Sequence, residues 1–197
     1  MMNHTHNNPT RQGARRRKVM LSIFLAFTLL LSGSVAAYTV IHALYPLRYC
    51  ELVEQSCEEF GVSPTLVYAV IRTESGFDST ARSEVGALGL MQIMPETFGW
   101  LQKKLPPDAP MEADALLRPE VNIRYGVFFL SMLNEQFGDD TLTIAAYHAG
   151  QNRVRGWLDE AILPQVGCTA QDIPSDATGH YVHKVERARE VYCRLYF

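Results

Sequence analysis

Zinc-type spacing is missing from this sequence. It has four cysteines and six histidines, yet no Cys-x-x-Cys and no His-x-x-x-His pair, so nothing reads as a metal site. Internal repeats are lacking, as is any strand-like run longer than a few residues, which excludes solenoids and sheet-based folds. Surplus positive charge is confined to one place. Residues 1–18 carry Arg11, Arg15, Arg16, Arg17 and Lys18 with no acid, contributing +5 to a net charge of −3, so the rest carries −8. An acidic domain excludes nucleic acid as a partner, because that demands a basic face. The cluster Arg153-Val154-Arg155 is too small for one and reads as a solvated helix end. Finally, no Asp, Glu, Lys or Arg occurs between Val19 and Leu47.

That uncharged run is strongly apolar. A basic cluster abutting an apolar run is the pattern of an export signal whose positive side stays in the cytoplasm. Residues 1–10 are polar and are expected to be disordered. Residues 46–197 are then expected outside the cytoplasmic membrane. The apolar run continues through Tyr38 to Tyr45, so residues 19–45 can span a bilayer and read as an uncleaved inner-membrane anchor. Ser34-Val35-Ala36-Ala37 offers the alternative, a signal-peptidase site releasing a soluble periplasmic protein. Arg48 and Tyr49 before Cys50 make a poor lipoprotein signal. An exported domain containing Cys50, Cys57, Cys168 and Cys193 is expected to form up to two disulfides, in any of the three connectivities that four cysteines allow.

From Pro46 onward the pattern is helical. The spacing predicts helices over Tyr49–Phe60, Pro64–Glu74, Pro95–Gln102, Pro119–Phe137, Leu142–His148 (capped by Asp140-Thr141), Val154–Leu158 and His180–Leu195. On the longest, Val121, Tyr125, Phe128, Phe129, Met132 and Leu133 form the inward face. Gly76, Gly86 and Gly89 mark residues 77–94 as loop, and Pro164–Gly179 reads as irregular. An all-α, or nearly all-α, domain over 46–197 follows.

One carboxylate breaks the pattern. Leu66, Val67, Val70 and Ile71 form an apolar stripe, and Glu74 falls on it, one turn after Val70 and Ile71. A glutamate so placed is desolvated and keeps its proton near neutrality, as a general acid must. Ser75-Gly76 then ends the helix, which leaves the carboxyl at the lip of a groove. A surface glutamate in a frayed last turn has the same spacing. Downstream, Gly86-Ala87-Leu88-Gly89-Leu90-Met91-Gln92-Ile93-Met94-Pro95 sets glycines around an apolar core and one amide. Such a loop can lay backbone groups and Gln92 against an amino sugar, although a Met-rich core loop has the same composition.

These two segments are followed, in order, by Asn122-Ile123-Arg124-Tyr125-Gly126 and Ala145-Ala146-Tyr147-His148-Ala149-Gly150. Together they resemble the catalytic domain of the soluble-lytic-transglycosylase family, related in fold to goose-type lysozyme, over roughly residues 50–195. The resemblance implies a lysozyme-like fold with Glu74 as catalytic acid/base. It implies that Ser83 supports the reacting sugar's site, that Met91 and Gln92 line the saccharide groove, that Tyr147 points at the glutamate and substrate, and that Tyr181 closes the groove. Asn122 and Gly126 read as structural, Gly126 allowing close helix approach. The chain departs from the family at His148, where asparagine is usual, and at Ala177-Thr178-Gly179-His180-Tyr181, where Glu-Thr-Arg-x-Tyr is common. His148 keeps the hydrogen-bonding capacity, completes the set of substrate-binding candidates and adds a titratable group.

Most glycosidases need two carboxylates. Asp78, Glu84 and Glu96 follow Glu74, and none stands out as its partner. A lone acid fits substrate assistance, in which the sugar's N-acetyl oxygen attacks its own anomeric carbon while Glu74 protonates the leaving oxygen. The glutamate then takes the proton of the sugar's C6 hydroxyl, closing a 1,6-anhydro ring without water. That chemistry needs no metal or organic cofactor, and its substrate is the glycan strand of peptidoglycan. A water-using muramidase and a non-catalytic glycan-binding or secretion scaffold are the alternatives. General wall turnover and service to a wall-spanning pilus or secretion complex are both compatible with the resemblance.

Overall fold

The computed structural model describes residues 9–164 and 167–197, with the backbone alone for 9–16. The chain divides into two compact units, Met1–Pro46 and Leu47–Phe197. Within the first, the described residues form one helix, α1 (Pro9–Leu44). It begins well before Val19, because Pro9 suits a first helical turn and the Arg, Gln, Ala and Lys that follow are good helix formers. The expectation of disorder over residues 1–10 therefore fails at Pro9 and Thr10, and for residues 1–8 it lies outside the described residues. The stretch Arg17–Leu44 is 28 residues long. At 1.5 Å per residue that is about 42 Å, more than the ~30 Å of a bilayer core. Its hydroxyls cause no conflict with an apolar setting, since Ser22, Thr28, Ser32, Ser34 and Thr39 each donate to a carbonyl one turn back.

The second unit contains α2 (Cys50–Phe60), α3 (Pro64–Glu74), α4 (Pro95–Lys104), α5 (Pro119–Phe137), α6 (Asp140–Ala149), α7 (Gln151–Asp159) and α8 (Asp176–Tyr196). Among the described residues there is no sheet, only isolated bridges from Leu88 to Arg82 and to Ile93. Helix α3 packs on α8, α2 on α5, and α6 on α5, α7 and α8. Every residue of α3 from Thr65 to Ile71 is buried. It is apolar all round, a core helix rather than one with a single inward stripe. Tyr68 on α3 stacks on Tyr192 of α8 with ring centroids 5.4 Å apart, and Phe98 of α4 meets Tyr125 of α5 edge-on at 5.0 Å. Three members of the expected α5 face, Phe128, Phe129 and Met132, are only half-buried.

Local chemistry moved some boundaries. Helix α6 is capped by Asp139, whose side chain accepts from the Leu142 N–H at 3.0 Å, not by Asp140. Helix α8 starts at Asp176 because Ser175 caps it, and α7 starts at Gln151, directly after Gly150 turns the chain at φ +91°. Two short 3₁₀ turns, Ala113–Leu117 and Ala170–Asp172, occupy segments too short for a helical period to register. The expected disulfides are absent: Cys50, Cys57, Cys168 and Cys193 are free thiols. Cys50 and Cys57 sit two turns apart on α2, about 10 Å of rise, beyond the reach of a disulfide.

Candidate active site

Glu74 is the last residue of α3. The chain leaves the helix sharply, with Gly76 and Phe77 both in the left-handed region at φ +59° and +70°. The Ser75 hydroxyl donates to the Leu90 carbonyl at 2.8 Å, tying the helix end to the following loop. Glu74 is half-buried at this junction with its carboxyl turned inward, and the Tyr181 hydroxyl donates to its Oε1 at 2.6 Å. Burial pushes its pKa from 4.5 up to about 7, while the Tyr181 bond, which favours the charged form, pulls the other way. No other charged group among the described residues takes part in that shift. Asp78, Glu84 and Glu96 are all exposed, and Asp78 is bonded by the N–H and hydroxyl of Thr80.

One wall of the site is the loop from Ala81 to Met94. Ser83 pins its first turn, its hydroxyl oxygen accepting from the Ala87 N–H at 2.9 Å. Gln92 sits at φ +48° with its amide nitrogen donating to the carbonyls of Gly89 (2.8 Å) and Ala81 (3.3 Å). The Met91 side chain is fully buried. It fills the space above Gly126, where an added Cβ would lie 2.3 Å from the Met91 sulfur, so this glycine admits a loop side chain and not another helix. Asn122, also fully buried, accepts from the Met91 N–H at 2.7 Å and donates to the carbonyls of Leu88 (2.9 Å) and Leu116 (2.8 Å). Gly89 is equally confined, since a Cβ there would meet the Leu116 oxygen at 2.2 Å. The Met91 side chain thus belongs to the core, and the Gln92 amide nitrogen serves its own loop.

The opposite wall comes from α6 and α8. Tyr147, expected to point at the glutamate, lies close enough to feel the Glu74 charge, and its hydroxyl donates to the Met91 carbonyl at 2.7 Å. Tyr181, expected only to close the groove, is the residue that holds Glu74. Burial raises both phenols well above their ordinary pKa, and the nearby Glu74 charge adds to it. His148 stacks on the Tyr181 ring at 4.4 Å, and its Nδ1 lies 3.3 Å from the hydroxyl of buried Thr178. Burial, and then the charge of Arg153, lower the His148 pKa. Thr178 carried no signal of its own in the sequence beyond its place in the altered motif before Tyr181. A single carboxyl poised near 7, with a phenol fixing one oxygen, can give a proton and take one back at neutral pH.

Residues 51–162 match the family described as Transglycosylase SLT domain. The soluble lytic murein transglycosylase of Escherichia coli (strain K12) is 34% identical over 155 residues, covering 77% of this chain and 24% of that protein. The membrane-bound lytic murein transglycosylase C of Actinobacillus pleuropneumoniae is 27% identical over 173 residues, covering 75% of this chain and 46% of that one. The crystal structure of the 70-kDa soluble lytic transglycosylase from Escherichia coli matches with a TM-score of 0.70 at 33% identity, over 76% of this chain and 25% of the other. An inactive glutamate-to-glutamine mutant of lytic transglycosylase Slt from Pseudomonas aeruginosa matches at 0.67 and 33% identity, over 77% and 25%. The chain spans about a quarter of the length of these soluble relatives. With its all-α fold and the ordered motifs around Glu74, this chain belongs to the SLT transglycosylase domain family.

Proposed function

We propose that the Leu47–Phe197 unit is a peptidoglycan lytic transglycosylase that cleaves the β-1,4 bond between N-acetylmuramic acid and N-acetylglucosamine without water. The observation that carries this reading is the state of Glu74: an inward-turned carboxyl with a pKa near 7, bonded by Tyr181 and perturbed by no second carboxylate. Glu74 protonates the leaving oxygen while the sugar's N-acetyl oxygen attacks the anomeric carbon. The glutamate formed then removes the C6 hydroxyl proton, and that oxygen displaces the N-acetyl oxygen to give the 1,6-anhydro end. Tyr181 fixes the carboxyl and eases its ionised state. Ser83 and Gln92 keep the loop wall in shape, and Tyr147 locks that wall to α6, so their contribution to sugar binding runs through the loop they hold.

The relatives support the substrate, since they are named as murein transglycosylases. The inactive Pseudomonas variant shows that a glutamate-to-glutamine change silences one such enzyme. Helix α1 supports an inner-membrane anchor holding the domain in the periplasm, with cleavage in the Ser34–Ala37 region as the soluble alternative; N-terminal sequencing of the purified protein separates the two. The test of the chemistry is mass spectrometry of products from purified peptidoglycan, with Glu74→Gln as control. Products one water lighter than hydrolysis products carry the proposal. Reducing ends would sink it in favour of a muramidase, and no products from the parent chain would favour a glycan-binding scaffold.

A further inference from the structure

An open groove of about 560 Å³ lies next to the site, on the far side of the Phe129 ring from Tyr147, and none of the catalytic contacts uses it. Phe129 packs on Tyr147 with ring centroids 5.3 Å apart, and Trp100 meets Phe129 edge-on at 6.3 Å. Trp100 and Phe129 are both half-buried, so part of each ring faces the groove they line. The other lining groups are Glu96 from the first turn of α4 and Gln151, Asn152 and Arg153 from the first turn of α7. The Arg153 charge also reaches His148, which links this groove to the wall that holds Glu74.

We propose that this groove is an outer saccharide subsite in which Trp100, supported by Phe129, stacks against a neutral N-acetylated sugar of the glycan strand. The proposal rests on the lytic transglycosylase reading and adds a place and a ligand class to it. Three observations select a sugar. Aromatic faces suit the C–H face of a pyranose, with the ring edge left free for polar contacts. Gln151 and Asn152 provide amides that can both donate to and accept from an N-acetyl group. Glu96 and Arg153 bring opposite charges to the same groove, which favours a neutral ligand over the carboxylate-bearing peptide stems. Phe129 both lines the groove and packs on Tyr147, which feels the Glu74 charge, so the groove neighbours the Glu74 site.

The chain contains two tryptophans, Trp100 and Trp157, so Trp157→Phe leaves Trp100 as the sole indole reporter. In full-length protein in detergent, with Glu74→Gln to prevent turnover, chitopentaose is expected to shift the Trp100 emission to shorter wavelength. By calorimetry, Trp100→Ala is expected to weaken chitopentaose about five- to tenfold, and Trp100→Phe to retain most of the affinity. With active enzyme, Trp100→Ala should raise KM for glycan strands and leave kcat near that of the parent. An unshifted emission, or equal chitopentaose affinity in Trp100→Ala, overturns the subsite. Should Trp100→Ala fail to fold, the emission shift and Trp100→Phe decide the matter. If the parent makes 1,6-anhydro products and KM ignores Trp100, only the subsite falls. If the parent neither binds chitopentaose nor yields those products, the functional reading itself falls.

Discussion

The two walls that meet at Glu74 are built on different physics. The loop wall is held chiefly by neutral side chains: Asn122, Ser75, Ser83 and Gln92 all bond backbone, and glycines at 89 and 126 let parts approach that no Cβ would allow. The α6–α8 wall is a chain of ionisable rings, running from His148 through Tyr181 to the carboxyl itself. The first wall fixes geometry at every pH. The second sets the proton affinity of the carboxyl, and therefore where on the pH scale the site works. A mutation in the first should show up as stability, and one in the second as a changed pH profile.

Glu74→Gln sits where the walls meet and has the largest expected effect. Activity on peptidoglycan should fall about a thousandfold or more, read by release of soluble products. Stability should move the other way at alkaline pH. Because the folded pKa is raised, the native state binds more protons than the unfolded state between pH 4.5 and about 7, and the parent loses stability as pH rises through that window. The loss is on the order of 3 kcal/mol above pH 7, and Glu74→Gln should abolish it in urea unfolding across pH 4 to 8. Identical slopes in the two proteins would break the assignment. Asn122→Ala, on the loop wall, leaves the Met91 N–H and two carbonyls without their partner in a dry site. It should cost about 3 kcal/mol or more at every pH, measured by the same unfolding.

Tyr181→Phe tests the second wall alone. The lost hydrogen bond favoured the ionised carboxyl, so the Glu74 pKa should rise further and the alkaline limb of the kcat/KM profile should move up. The rate near pH 7 should drop about tenfold as the carboxyl loses its fixed orientation, with little change in stability. A uniform loss of rate with an unmoved profile would make Tyr181 part of the rigid scaffold and erase the contrast between the walls.

How far this division was legible in the sequence follows from the distances involved. Helix α3 ends at Glu74 and α5 runs Pro119–Phe137, as caps and periodicity predict, because those signals lie within a turn or two. The motif order identified the family for the same reason. Which tyrosine holds the glutamate was not legible: Tyr181 lies 107 residues away, and only packing of α8 on α3 brings them together. Met91 was read as groove lining because its motif neighbours the site, whereas Gly126 on another helix draws its side chain inward. The disulfide expectation came from compartment alone, although the predicted Tyr49–Phe60 helix already sets Cys50 and Cys57 two turns apart and beyond bonding reach.

His148→Asn restores the residue usual in the family and is the mildest probe of the ionisable wall. Asparagine can keep a bond to Thr178 but cannot carry charge, and it loses the stack on Tyr181. With its pKa held below the ordinary value, His148 is neutral at pH 7.5, so the rate there should change less than about threefold. Acidification is different. The unfolded state takes up the histidine proton before the folded state does, so the parent loses stability as pH falls below the ordinary histidine value, and the asparagine variant should not. The charged groups facing the ring are Arg153, which opposes protonation, and Glu74 reached through Tyr181. A protonated ring is repelled by Arg153, which loosens its stack on Tyr181 and with it the bond that holds the Glu74 carboxyl. The parent should therefore lose activity on the acid side of its profile more steeply than His148→Asn. Superimposable acid limbs in kcat/KM would confine the tuning of Glu74 to Tyr181 and make His148 a packing residue of the rim.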